Sequence, residues 1–214
     1  MLEQLRQNVW AANLALPKNG LVLWTSGNAS ARDPETNLVV IKPSGVHFED
    51  LTPECLVIVD LEGNVVEGTL KPSVDTASHL YVYRHRADVN GMIHTHSPYA
   101  TSFALRGEPL PIYTTTSAGM FGCEIPVSDF ATIGEEEIGQ EIVEKIGQCT
   151  AILMRNHGVF TIGATVEKAL KAAVLLEETA QVVHYAMLRG PLTPLPPEVV
   201  KAGYETYNST YGQG

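Results

Sequence analysis

The sequence predicts one α/β domain, a mixed sheet covered by helices, spanning residues 1–214. Three observations carry that prediction. Apolar residues recur alternately at helical and at strand spacing along the chain. Turn signals at Gly63-Asn64 and at Asn156–Gly158 join neighbouring strand-like runs directly, which a strictly parallel sheet does not allow. The composition is that of a packed core, 44% apolar against 18% charged, at a length that folds undivided.

Taken in order, Leu2, Leu5, Val9, Ala12 and Leu16 fall at helical spacing, and Pro17 with Gly20 stops that helix. The stretches Asn37–Ile41 and Cys55–Asp60 read as strands, the second bounded by Pro53 and Gly63 and followed by a hairpin into Val65 and Val66. Val74–Arg86 is helical, with Ala77, Leu80 and Tyr81 on one side. Asn90–His94 is a buried strand and Pro98–Leu105 a short helix. Gly134–Ile146 is a helix with Ile138, Ile142, Val143 and Ile146 inward. Ala151–Arg155 and Val159–Ile162 are two strands around a tight turn. Thr165–Leu188 is the longest helix, striped by alanines and by Leu176 and Val183. Pro191–Pro197 is a loop, and a last helix runs from Glu198 to about Tyr207.

Charge and cysteine usage narrow the function. The net charge is -10, from 24 acidic and 14 basic residues, which argues against nucleic acid or an anionic membrane surface as the main partner. No run of apolar residues is long enough for a membrane span. The first sixteen residues carry Glu3 and Arg6 within their apolar spacing, unlike a signal peptide. Cys55, Cys123 and Cys149 are odd in number and widely spaced, so they read as free thiols in a reducing compartment. The expectation is a cytoplasmic protein.

The chemistry-bearing residues form two groups. In Ile93-His94-Thr95-His96-Ser97 a strand sends His94 and His96 to the same face, where two imidazoles can share one ion. His-x-His alone is weak evidence. His157, in the turn Asn156-His157-Gly158, can project its ring from a rigid support into a cleft. Asp75, after Lys71-Pro72-Ser73-Val74, reads either as a first-turn acid favoured by the helix dipole or as a carboxylate ligand. Three histidines and one carboxylate make a complete or nearly complete zinc shell. His79, one helical turn after Asp75, is a candidate outer partner of that shell. His47, His85 and His184 read as solvated or packed. The second group is a set of small, hydroxyl-bearing turns suited to a phosphate: Gly27-Asn28-Ala29-Ser30, Lys42-Pro43-Ser44-Gly45, and Ser73 at the start of a helix. Lys42 adds a point charge. Neither a Walker loop nor a dinucleotide fingerprint is present.

With these residues in view, the chain resembles the zinc-dependent class II aldolase/adducin family. Its nearest likeness is to the L-ribulose-5-phosphate 4-epimerase branch. The resemblance lies in Ala12–Pro17, Ile41–Val46, Val66-Glu67-Gly68-Thr69, Lys71-Pro72-Ser73, Asp75-Thr76, His94–Ser97, Leu175–Glu178 and Tyr211-Gly212-Gln213. It implies a central, mainly antiparallel sheet between helical layers. It implies one zinc ion per subunit on Asp75, His94, His96 and His157, and a phosphorylated sugar held by Gly27, Asn28, Lys42, Ser44, Gly45, Ser73 and Val74. It also implies catalytic roles for Tyr211 and Asp75, substrate contacts from Thr115 and Thr116, and a homotetramer with the site between subunits. The aldolase branch, of the L-fuculose-1-phosphate aldolase type, carries glutamate at the position of Asp75, so aspartate tilts the resemblance toward the epimerases. Two departures stand beside it. Gly119, in Thr114–Gly119, aligns with the epimerases' aspartate acid/base, and Val74 replaces a serine of the phosphate site. The resemblance therefore implies retro-aldol chemistry on a phosphorylated ketose, ending either in epimerisation or in cleavage. A non-catalytic adducin-like binding module is the remote alternative.

Overall fold

The computed structural model describes residues 2–210. Helix α1 (Glu3–Lys18) leads into strands β1 (Asn28–Arg32), β2 (Val39–Ile41), β3 (Val57–Val59) and β4 (Val65–Glu67). Then come α2 (Thr76–His85), β5 (Gly91–Thr95), α3 (Pro98–Arg106), α4 (Thr115–Phe121) and α5 (Glu137–Lys145). The chain continues through β6 (Ala151–Met154), β7 (Gly158–Gly163), α6 (Val166–Met187) and α7 (Pro197–Thr210). The strands form one sheet in the order β4-β3-β2-β1-β5-β7-β6, and every neighbouring pair is antiparallel. The mixed sheet expected from local patterning is thus an antiparallel one, as the family resemblance implied. Among the described residues, no helix is long and apolar enough to cross a membrane.

The register divides the sheet into two working faces, because residues paired across antiparallel strands point the same way. Ala29, Ala31, Val40, Ile58 and Ile93 turn to one side and pack with Val9, Ala12 and Leu16 of α1 and Val166, Ala169 and Ala173 of α6. Val39, Ile41, Val57, Val59 and Met92 turn to the other, against Leu80 and Tyr83 of α2 and Ile138 and Ile142 of α5. Each fully buried leucine or isoleucine here contributes about 1.5–3 kcal/mol. Asn13 joins α1 to the sheet: its amide donates to the Val9 and Ala29 carbonyls and accepts from the Ala29 N–H at 2.9 Å. Arg32, at the end of β1, donates to the carbonyls of Tyr83, Ala87 and Val89. It thereby satisfies acceptors at and just beyond the C-terminal end of α2 and fixes that helix over the sheet.

Two elements lie outside the local pattern. Residues 27–30 read as a loop, yet Asn28–Arg32 is a strand, central and buried along its whole length. Its small and polar residues give no apolar alternation: Asn28, Ser30 and Arg32 are buried polar side chains, each with an internal hydrogen-bond partner. Helix α4 has no apolar stripe either. A capping box between Thr114 and Ser117 starts it, and Gly122 in the left-handed region ends it. Elsewhere only boundaries differ. Pro17 sits inside the last turn of α1, where it costs that helix one i→i−4 bond and marks its end, and α2 begins at Thr76 with Asp75 as its N-cap residue.

Candidate metal centre and anion pocket

The register sets the site. Asn28 of β1 lies opposite His94 of β5, which lies opposite Phe160 of β7, so these three side chains share a face at one end of the central strands. His96 follows just past β5 on the same face. His157 comes from the turn joining β6 to β7, where Asn156 adopts φ 60 and the His157 N–H donates to Met154 O. Gly158 lets this turn close on β5: a Cβ there would meet Thr95 O at 2.5 Å and His96 Cδ2 at 2.7 Å. Gly27 does the same for β1, combining φ +77 with a would-be Cβ contact of 2.8 Å to the His94 carbonyl.

The three imidazoles converge. Their ring centroids are 4.7, 4.8 and 5.1 Å apart, and their candidate donor atoms all lie within 4.8 Å of one another. His94 Nδ1 donates to the Val159 carbonyl at 3.0 Å, which leaves Nε2 as the lone-pair nitrogen. The ring stacks on Phe160 at 4.2 Å. His94 Nε2 faces His96 Nε2 at 3.0 Å. Two nitrogens on a tetrahedral ion at ~2.0–2.1 Å stand about 3.3 Å apart, so the spacing suits a shared ion. His157 Nδ1 is buried without a hydrogen-bond partner. Burial drives His94 down to about 3 and also lowers His96 and His157. All three rings are therefore neutral near pH 7, the state in which imidazole binds a cation. The donor set and its orphaned nitrogen fit a metal ion.

Asp75 lines the same cavity but stands outside the three-nitrogen cluster. Its Oδ2 accepts from Asn28 Nδ2 at 2.7 Å. Burial pushes its carboxyl up, but the nearby His94 and His79 imidazoles and the Asn28 hydrogen bond prevail and hold it below the usual carboxylate range.

The polar turns meet the cluster in one cavity of about 290 Å³, lined by Gly27, Asn28, Lys42, Ser44, Gly45, Ser73, Val74, Asp75 and the three histidines. The loops at 42–45 and 71–73 are laced together: Ser44 N–H donates to Lys71 O and Ser73 N–H to Lys42 O, around a bridge between Pro43 and Pro72. Not every turn N–H is therefore free for an anion, contrary to the sequence expectation. Among the described residues, those of Gly27, Gly45 and Val74 keep no backbone partner. Lys42 is nearly sealed from solvent. Its Nζ donates to Thr25 O at 3.2 Å and lies 4.8 Å from the Phe48 ring centroid. Burial pushes it down to about 8.

Thr115 and Thr116 are placed elsewhere. They open α4 and line a separate cavity with Leu170, Lys171, Val174 and Tyr207, because α4 packs against α6 and α7 and away from the strand ends. Tyr211 lies outside the described residues. Thr25, Ser26 and Ile133 line the same cavity without having been singled out. The first two flank Gly27-Asn28, which was; Ile133 is an isolated apolar residue in a polar loop, with no periodicity to mark it. His85 stacks on Tyr81 and His184 touches Tyr99, both away from the cavity.

A sheet with every pair antiparallel, helices on both faces and a histidine cluster beside a polar pocket define the class: a helix-covered antiparallel α/β protein with a candidate metal site. Residues 7–184 match the model of the Class II Aldolase and Adducin N-terminal domain, and the chain belongs to the class II aldolase/adducin family. Among solved structures it is similar to an L-fuculose 1-phosphate aldolase, with 30% identity over 96% of each chain and a TM-score of 0.91. The L-fuculose 1-phosphate aldolase of Glaciozyma antarctica shares 26% identity over 95% of this chain and 81% of that one, with a TM-score of 0.81. For the enzyme of Thermus thermophilus the identity is 29%, over 89% and 99%, with a TM-score of 0.77.

Proposed function

We propose that the chain is a zinc-dependent sugar-phosphate aldolase, cleaving a phosphorylated ketose to a triose and an aldehyde, and that residues 1–214 form one such domain in a homotetramer. The observation that carries the reading is the meeting of the three-histidine cluster and the Lys42 pocket in one cavity. A divalent ion held by His94, His96 and His157, with Asp75 beside them, would supply the Lewis acidity that stabilises charge when the bond between the α and β carbons of a ketose breaks. Lys42, the Ser44 and Ser73 hydroxyls and the free N–H groups of Gly27, Gly45 and Val74 bind the phosphate. Asn28 holds the Asp75 carboxylate, which is placed to take and return a proton at the cavity wall. Tyr211 is the proposed second proton carrier.

Epimerisation of L-ribulose 5-phosphate is the second reading, favoured by aspartate rather than glutamate at position 75. Against it stands Gly119, where a Cβ would meet the Tyr207 ring at 2.9 Å. The acid that the epimerase resemblance calls for has no room there while α7 is docked. One assay tests both. The zinc-loaded protein is incubated with L-fuculose 1-phosphate and, separately, with L-ribulose 5-phosphate, following released triose and D-xylulose 5-phosphate. Triose release is the expected outcome. Epimer without triose establishes the second reading, and turnover of neither substrate refutes both.

A further inference from the structure

The stretch Leu175–Glu178, part of the family resemblance, has no role in the proposed chemistry. It lies on α6, whose half-buried Glu177 reaches across to the start of α3. Glu177 Oε1 accepts from the Tyr99 N–H at 2.9 Å, and Oε2 accepts from the Ala100 N–H at 2.8 Å. These are the free donors of the first turn of α3. Pro98, its first residue, has no N–H, and the Thr101 N–H already opens the ladder to Ser97 O at 2.9 Å. Ser97, in the N-cap position, makes no cap bond with its side chain. A carboxylate from another helix therefore supplies the cap that the local sequence leaves out, with a charge of the sign a helix N-terminus favours. The Tyr99 hydroxyl also meets the Tyr185 hydroxyl at 2.7 Å, so α6 holds this residue at its backbone and at its side-chain tip.

The capped turn adjoins the metal site. Thr95 pairs with Val159 in the sheet, α3 begins at Pro98, and only His96 and Ser97 join the two. The two histidines of this segment are fixed in different ways. His94 is buried, donates from Nδ1 to Val159 O and stacks on Phe160. His96 is exposed and lies against Gly158. Among the described residues its side chain has no hydrogen bond beyond its approach to His94, so no protein group holds its Nδ1. His79, the outer partner expected from the sequence, turns its Nδ1 to Ser30 Oγ at 2.7 Å and bonds to no ligand among the described residues. The direction of the His96 ring is thus left to its backbone, which the β5 ladder anchors on one side and the first turn of α3 on the other.

We propose that Glu177 is a positioning residue for the metal centre: by clamping the first turn of α3 it fixes the backbone at His96, and through it the direction of that imidazole. The inference rests on the metal-centre reading. Groups beyond the ligands that hold them in place tune metal affinity without touching the ion.

The experiment uses zinc alone as the probe, with affinity read by competition against a chromogenic chelator. The visible spectrum of the cobalt(II)-loaded protein reads the ligand geometry, and melting of the metal-free proteins is followed in parallel. Glu177→Leu is expected to lose about 10-fold in zinc affinity. Its cobalt band should weaken and shift as one ring leaves the tetrahedral set. Glu177→Gln keeps one acceptor oxygen and turns an NH2 group toward the second N–H, so it loses less, and it decides the matter should Glu177→Leu not fold. Thr114→Ala is the matched control: it removes the side-chain cap of α4, away from the metal cavity, and should melt lower while binding zinc as the parent does. Glu177 variants that keep the parent's zinc affinity and cobalt spectrum while melting lower would overturn the proposal, since the cap would then serve folding alone. An equal loss of zinc affinity in Thr114→Ala would overturn it too, because affinity would then follow stability. A parent that takes no zinc refutes the metal-centre reading itself, and this inference with it.

Discussion

The strand ends around His94 and the crossing of α4 with α7 are built in opposite ways. At the strand ends, side chains from β1, β5, the β6–β7 turn and the start of α2 converge, and the backbone gives way to them through glycines at 27 and 158. Where α4 meets α7, glycines admit aromatic side chains that lie outside that cavity. A Cβ on Gly119 would meet the Tyr207 ring, one on Gly122 would lie 2.6 Å from Tyr204, and one on Gly203 would be 3.3 Å from Ala118. Val200 is the buried residue of α7 among those described. The first region keeps buried polar atoms unpaired, and the second excludes them by apolar contact. An orphaned donor in a sealed place implies a ligand, whereas a glycine under an aromatic ring implies packing.

The contrast breaks most sharply if ligand loss spares the fold. Removing one imidazole by His94→Ala or His96→Ala should cost zinc affinity well over ~100-fold, because a three-nitrogen set becomes a two-nitrogen one. The α4–α7 seam lies away from this change, so the metal-free His96→Ala protein should melt near the metal-free parent, whereas His94→Ala, which empties a buried ring site, should melt lower. A full equivalent of zinc retained by either variant, measured by elemental analysis, would show that these nitrogens do not form the centre.

How much of this was legible in the sequence follows from the same contrast. His94 and His96 could be paired from strand periodicity alone, and His157 from its turn, since those relations are local. The meeting of all three was legible only as a set. The anion pocket was legible as turn chemistry, but its wiring was not: that Ser44 and Ser73 spend their N–H groups on Lys71 and Lys42 is a long-range pairing. Strand β1 was hidden because its alternating residues, Asn28, Ser30 and Arg32, are polar and buried together, and alternation is read from apolar residues. Helix α4 was hidden because small residues meet α7, and small residues carry no periodic signal. For that reason Thr115 and Thr116 could be assigned to substrate from resemblance while the structure sets them against α6 and α7.

Gly119→Asp probes the packed region. A carboxylate there has to displace Tyr207, so the cost is that of overpacking, about 1–3 kcal/mol, with desolvation of a charge added. The expected result is a lower melting temperature with zinc affinity unchanged and no gain in epimer formation from L-ribulose 5-phosphate. A variant that melts like the parent and epimerises faster would show that α7 yields readily and that position 119 is open to substrate.

The smallest effect sharpens the comparison through a charge on the cavity side that titrates in a useful range. Lys42 is almost sealed, and its Nζ is held by Thr25 O and the face of Phe48, so burial brings it down to about 8 from 10.5. The sign follows directly. The lysine is charged below about pH 8 and attracts phosphate there; above it the folded protein releases the proton and the attraction fades. Bound phosphate favours the charged form, so the free enzyme's value appears in kcat/KM, and kcat is less affected. Turnover of a phosphorylated ketose should therefore show kcat/KM falling as pH rises through about 8, by at most tenfold per unit. Lys42→Met should give a lower profile that is flat in this window, with zinc affinity kept. If the fall persists unchanged in Lys42→Met, another group sets it, and the pocket binds its anion through backbone N–H and hydroxyl groups alone.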